Sequence, residues 1–294
     1  MNDNNYPNYF IAGDIASKKA QTWYIRLVAI DLLLMVVSAL LSIYNYQTEE
    51  SKTIVYWISG GMLFMAMLIS VFLKLKKYED IWYRGRALAE SCKTLTWRFI
   101  MRSEYFESTI TDEEAKHRFV ARIREINNQF VDLNKILSAK KLNLPVITSE
   151  MEKIRKLSLD KRKKYYLDER IQSQIDWYSS KADNNKSKYE RWFLGVIVFQ
   201  FLAVASIVYL IKVPMSNFNL VGLFSTVSAS GFSWLQVKKY QENKEAYTTA
   251  TSELILIKAE GNKNLPEDKF SEYVLDSENA MSREHTMWLA QKRF

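Results

Sequence analysis

Residues 53–73 read TIVYWISGGMLFMAMLISVFL, 21 residues without a charge. A helix rises about 1.5 Å per residue, so this run covers about 30 Å, the thickness of a bilayer's hydrocarbon core. In lipid, at that length, only a helix pairs all of its own backbone groups. Three further runs of about the same length lie outward from it. Residues 27–46 read LVAIDLLLMVVSALLSIYNY, with Asp31 as the one charge. Residues 192–211 read WFLGVIVFQFLAVASIVYLI, with Gln200 the most polar. Residues 218–237 read FNLVGLFSTVSASGFSWLQV, uncharged and richer in Ser, Thr and Gly. These runs predict four transmembrane helices at 27–46, 53–73, 192–211 and 218–237. The competing reading is four buried core helices of a soluble protein, an unusual core for so short a chain.

The chain has 294 residues, 41 Lys+Arg against 33 Asp+Glu and a net charge of +8. With 8 Gly and 4 Pro, collagen-like, turn-rich all-β and low-complexity architectures are disfavoured. A single cysteine, Cys92, excludes an intrachain disulfide and a cysteine zinc site, and it fits a reducing compartment. Two histidines, His117 and His285, leave little for histidine-based metal or acid–base chemistry.

The flanks set the expected orientation. Trp23, Tyr24, Tyr44, Tyr46, Tyr56, Trp57, Trp192, Tyr209 and Trp234 lie near run ends, where amphipathic rings prefer the membrane interface. The runs pair through short loops, 47–52 and 212–217, each with one lysine. The fifteen residues beyond the other four ends carry three, five, four and three Lys/Arg in chain order. The positive-inside rule then places both termini and the middle segment in the cytoplasm. The start, MNDNNYPNYF, has no basic region followed by an apolar core, so no cleaved signal peptide is expected.

The two halves repeat. Lys76-Lys77-Tyr78 after the second run matches Lys238-Lys239-Tyr240 after the fourth. Ala87 to Glu90 and Ala250 to Glu253 share A-x-x-E, with one residue of slippage. Each half holds two spans, so both halves enter the membrane alike, as parallel repeats. The expected fold is all-α integral membrane: two parallel-repeat hairpins with long cytosolic helical extensions. The first unit is 1–148, with cytosolic helices in 74–137; the second is 149–294, with cytosolic helices at 158–190 and 238–291. No breaker is visible between the second run and the apolar stripe after it, so one helix is expected over 53–101. Thr111 to Glu114 reads as a capping box opening another helix. Pro145 breaks the periodicity at the boundary between units, and Gly261 and Pro266 stop the stripe after the fourth run.

The strings around each hairpin resemble a known family. AGDIASKKAQTWY (12–24) precedes the first hairpin and WYRGRALAESCKTLTWRF (82–99) follows it; YLDERIQSQIDWYSSKADNNKSKYERW (166–192) precedes the second. In this order the chain resembles tandem SLATT domains, the SMODS- and SLOG-associating two-transmembrane effector family of bacteria, over about 6–137 and 158–290. Cys92 departs from the apolar residue expected at its place in the second string. The resemblance implies a membrane effector of a bacterial conflict system in the inner membrane. Such an effector would form a pore when a partner senses infection or makes a nucleotide signal.

Candidate residues follow from chemistry, each beside a plainer reading. Asp31 is an ionisable group inside a span, which is a functional candidate by default. In a lumen it favours cations; near the interface it hydrates or pairs with a cation. Gly222, Ser225, Thr226, Ala229, Ser233 and Gln236 form a small and polar stripe along the fourth span, suited to a narrow aqueous path or to close helix packing. Gln200 suits an interhelical hydrogen bond, and Gly60-Gly61 a close approach or a slight bend. Arg84, Arg86, Glu90, Lys93 and Arg98 form a set that suits a phosphate or an acidic partner, or i,i+4 pairing on a solvated helix face. Lys153, Arg155, Lys156 and Lys161 to Lys164 read as a basic patch for anionic lipid.

No nucleic-acid motif accompanies this charge, so no nucleic-acid partner is expected. No phosphate-loop, dinucleotide, nucleophile-elbow or metalloprotease motif is present, so no catalytic residue, metal or cofactor is expected. The expected partners are the lipid bilayer, further copies of the chain and a nucleotide-signalling or sensor protein. A non-conducting scaffold and a housekeeping channel or transporter are the alternatives.

Overall fold

A computed structural model describes residues 1–43, 48–261 and 263–290. Among them the chain is helical, without a β-strand. The helices are α1 (Asn8–Leu41), α2 (Glu49–Lys76), α3 (Tyr78–Ile100), α4 (Asp112–Gln129), α5 (Ala139–Leu142), α6 (Ser149–Arg155), α7 (Leu159–Tyr166), α8 (Ser173–Lys212), α9 (Val221–Lys238), α10 (Tyr240–Gly261) and α11 (Glu267–Ala290). Three apolar segments are long enough to cross a membrane: α1, the α2–α3 segment and the α7–α8 segment. α9 has 18 residues, about 27 Å by helical rise, and is not among those three.

Boundaries differ from the sequence reading for local reasons. The Thr48 hydroxyl accepts from Ser51 N–H at 3.4 Å and starts α2 four residues before 53. Residues 44–46 of the first expected span, and residue 291 of the last expected helix, lie outside the described residues. The uninterrupted helix expected over 53–101 is corrected: Lys77 sits between α2 and α3 in the left-handed region (φ 48°, ψ 37°), its N–H donating to Leu73 O at 3.2 Å. Lys239 repeats this between α9 and α10 (φ 46°, ψ 45°), its N–H donating to Leu235 O at 2.9 Å. Neither is a glycine or asparagine, the residues that visit this region cheaply, so no breaker could be read there. Between α7 and α8 the backbone forms a π-turn, Leu167–Gln172, so the helix of the second unit runs into the third apolar run with a bulge in it.

The chain divides into two compact units: residues 1–21, 79–181 and 245–294 in one, and 22–78 and 182–244 in the other. The first has a continuous core. Trp97, Phe99, Phe106, Phe119, Tyr166 and Phe270 are each no more than 1% exposed. Phe99 meets Phe106 edge-on at 5.5 Å, and Tyr166 meets Phe270 the same way at 6.1 Å. α1 crosses α3 at Gly13 and Gly85: a Cβ on Gly85 would lie 3.0 Å from Gly13 O and 3.1 Å from Ser17 N. Ser17 Oγ donates to Trp82 O at 2.9 Å, and Ala12, Ala16 and Ala20 are buried along the same helix. The small residues of AGDIASKKA and the glycine of WYRGRALAES therefore belong to one backbone-close crossing. Cys92 is fully buried in this core, where an apolar residue was expected, and burial raises its thiol pKa.

The second unit has the opposite surface. Only 6%, 6% and 11% of the most apolar windows of α1, α2–α3 and α7–α8 are buried. Leu33, Trp57, Phe201 and Ile211 stand between 60% and 78% exposed. Apolar area of this extent belongs against lipid or another protein, not water. α1 meets α2 where Ser38 Oγ donates to Ser59 O at 3.5 Å. α8 meets α9 in antiparallel register. Ser228 Oγ donates to Val196 O at 3.2 Å, Trp192 faces Trp234 with ring centroids 6.0 Å apart, and Phe199 faces Phe224 at 6.0 Å. Asn219 N–H donates to Ile43 O at 2.9 Å, joining the segment before α9 to the end of α1.

Candidate functional site

In the apolar unit the expected residues separate by face. On α9, Gly222, Ser225, Ala229, Ser233 and Gln236 are all exposed, and Thr226 is half-buried. The packing against α8 is done by a different set, Ser228, Gly231 and Leu235, which are buried. Gly231 takes the close approach, since a Cβ there would lie 3.1 Å from Val196 Cγ2. A Cβ on Gly222 would meet nothing within 4 Å. The small polar stripe therefore faces outward from its own chain. Gln200, mid-way along its apolar run, is also exposed, and among the described residues it makes no hydrogen bond. Among the described residues the close approach expected at Gly60-Gly61 is not made; both are exposed and a Cβ on either meets nothing within 4 Å. Asp31 is half-buried and accepts from Ser70 Oγ at 3.4 Å, across from α1 to α2.

In the helical unit the five α3 residues do not converge on one pocket. Arg84 pairs with Asp132 at 3.2 Å. Arg86 pairs with Glu90 at 2.8 Å, the i,i+4 pair read from spacing. Arg98 donates from Nε to Glu104 O at 3.1 Å and lies over the Tyr105 ring at 4.8 Å. Lys93 is half-buried by side-chain exposure; burial lowers its pKa, Glu90 raises it, and Arg170 and Arg86 lower it further.

The sequence reading missed three buried arginines. Arg155, Arg162 and Arg170 are 2–3% exposed. Arg155 Nη1 donates to Phe99 O at 2.8 Å and to Phe106 O at 3.0 Å, and Arg162 Nη1 donates to Met101 O at 2.8 Å. The Phe99 and Met101 carbonyls lie at the C-terminal end of α3, where a cation is favoured, and the Phe106 carbonyl lies in the turn that follows. Arg162 also makes a two-pronged pair with Glu267 at 2.6 and 2.7 Å. Arg170, in the π-turn, grips Glu278 at 2.9 and 2.7 Å, and Tyr166 Oη donates to the same carboxylate at 3.0 Å. Burial opposes the Arg170 charge, and the Glu278 carboxylate more than offsets it, holding the guanidinium above its ordinary pKa.

The basic tract is thus corrected. Arg155 and Arg162 are internal ties, while Lys153, Lys156, Lys161 and Lys164 remain exposed. The signal that could have separated them is the apolar spacing around them, with Met151, Ile154 and Tyr166 on the buried side. Among the described residues no group of His, Cys, Asp and Glu is placed to hold a metal.

An all-helical fold with bilayer-length helices whose apolar faces are uncovered defines a membrane protein. The chain belongs to the SMODS and SLOG-associating 2TM effector family: effector domain 3 matches residues 7–163 and effector domain 1 matches residues 166–288, in tandem. Comparison with curated proteins and with solved structures gave no match.

Proposed function

We propose that the chain is the membrane effector of a bacterial conflict system, assembling from several copies into a pore that opens on a cytosolic signal. Four spans, α9 being the fourth, lie in the inner membrane as two parallel hairpins with both termini in the cytoplasm. Four helices enclose too little circumference for a wide lumen, so the path forms between copies. The observation that carries this reading is the outward face of α9. Gly222, Ser225, Ser233 and Gln236, with Gln200 on α8, present small or polar groups that are exposed among the described residues. In hydrocarbon an amide without a partner is costly. Water in a lumen or a second copy supplies that partner. Asp31 would bias such a path toward cations. The mechanism needs no catalytic residue, cofactor or nucleic acid. The signal arrives through a nucleotide or a sensor protein at the helical unit, for which Arg84, Arg86, Glu90, Lys93 and Arg98 offer charge.

Purified protein in liposomes tests this. Ion flux on addition of signal, lost in Ser225→Leu/Ser233→Leu, supports a pore. Vesicles that stay tight with every nucleotide tried, around a protein that still recruits a soluble partner, favour a scaffold. Flux without any signal, and expression without toxicity, favour a housekeeping channel.

A further inference from the structure

In the apolar unit a cleft of about 210 Å³ opens between α8 and α9, lined by Arg191, Trp192, Gly195, Phe199, Val227 and Gly231. A Cβ on Gly195 would meet nothing within 4 Å, so the glycine itself leaves the space open. From Arg191 to Phe199 is about 12 Å along the helix. The cleft therefore runs from the charged end of the third run into its apolar length. A water takes about 30 Å³ of liquid volume, and a methylene is of similar size, so the space accepts about seven carbons of a chain.

The mouth of the cleft is cationic. Arg191 lines it, and Lys188 lies one turn before on the same helix. Lys238, one residue beyond the fourth run, lies over the Trp234 ring at 5.6 Å and the Tyr240 ring at 5.9 Å, and Trp234 in turn faces Trp192. The antiparallel register that pairs Trp192 with Trp234 brings Lys188, about one turn earlier on α8, level with Lys238 at the end of α9. Among the described residues no carboxylate lies within ion-pair distance of Lys188, Arg191 or Lys238. Three cations at the same end of the α8–α9 pair, without a carboxylate partner among the described residues, call for an anion from outside the chain.

We infer that this cleft binds one anionic phospholipid, its phosphate held by Lys188, Arg191 and Lys238 and one acyl chain laid along Gly195 and Gly231. A second copy of the chain fits less well. Copies share one orientation in the membrane, and every run end on this side is flanked by Lys or Arg, so a neighbour offers more cations. The inference rests on membrane residence and on the proposed orientation of the spans, not on conduction; a protein that conducts no ions leaves it standing.

The test is native mass spectrometry of the full chain from micelles carrying phosphatidylglycerol or phosphatidylcholine. One phosphatidylglycerol is expected to be retained in preference. Lys188→Gln, Arg191→Gln and Lys238→Gln each lower its affinity about fivefold, the equivalent of about 1 kcal/mol per interfacial cation. Gly195→Leu abolishes retention while circular dichroism and thermal unfolding stay unchanged, since its side chain fills only empty space. Equal retention of the two lipids, or retention undiminished by Gly195→Leu, overturns the site. So does displacement of the lipid by millimolar inorganic phosphate, which marks a simple anion site without an acyl chain.

Discussion

The two halves of the chain share a plan and differ in how they close it. Register them by Lys76-Lys77-Tyr78 and Lys238-Lys239-Tyr240, and equivalent residues fall 162 apart. Lys77 and Lys239 are then both left-handed, and Cys92, fully buried, falls on Leu254, 2% exposed. The apolar residue expected at Cys92 is present in the other half. Gly85, however, falls on Tyr247. In the first half Gly85 lets α1 and α3 touch through their backbones. In the second, Tyr247 fills the same place with its ring, packed edge-on to Trp177 at 5.4 Å and tilted on Tyr178 at 5.6 Å. The second half also has a buried ion pair, Arg170–Glu278, that fixes a π-turn. One repeat crosses on close backbone contact; the other uses rings and charge. A repeat thus preserves geometry at its junctions while its packing chemistry diverges.

The comparison can be broken in several places. The largest effect is expected for Glu278→Ala, which leaves the Arg170 guanidinium buried and unpaired at a cost of about 3–5 kcal/mol. Denaturant unfolding of the purified chain reads it; a loss under about 1 kcal/mol would show that water reaches this pair. Gly85→Leu comes next, at about 2–3 kcal/mol, because its Cβ meets backbone that cannot swing away. Tyr247→Ala is expected to cost about 1.5 kcal/mol, mostly through its two ring contacts. If the glycine variant proves milder than the tyrosine one, the contrast between the crossings is wrong.

Two smaller effects sharpen what the halves share. Lys77→Gly and Lys239→Gly should each stabilise by about 0.5–1 kcal/mol, because glycine adopts positive φ without a Cβ penalty. Unequal gains would mean the two junctions are not equivalent. The last concerns pH. Burial raises the Tyr6, Tyr166 and Tyr273 phenols, the Tyr273 pKa being pushed up to about 12. Above pH 10 the unfolded chain releases these protons while the native state holds them, so stability is whole below pH 10 and falls as pH climbs toward 12. Tyr273→Phe should soften that fall in thermal unfolding curves between pH 9 and 12. An unchanged slope removes Tyr273 from the account.

Much of this was legible in the sequence. Apolar runs of bilayer length and the repeated Lys-Lys-Tyr are one-dimensional signals, and the Thr111 cap formed as read, accepting from Glu114 N–H at 3.2 Å. Glu114 itself turned to Arg118 at 2.8 Å rather than closing the box. What stayed hidden depends on neighbours distant in sequence. Arg162 lies among four consecutive cations and looks solvated, yet its partners are Met101 and Glu267. The sequence could not tell which face of α9 packs on α8; that Gly231 does so, and Gly222 does not, came from the structure.

Length, hydrophobic period and charge bias act along the chain, so the amino-acid order alone specified helices, lipid as their solvent and a duplicated plan. Which side of α9 meets its neighbour, which arginines turn inward and where the backbone accepts a left-handed lysine were decided only by tertiary structure. Each of those choices sets a local cost against contacts with residues far away in the chain, and such contacts exist only once the helices have packed.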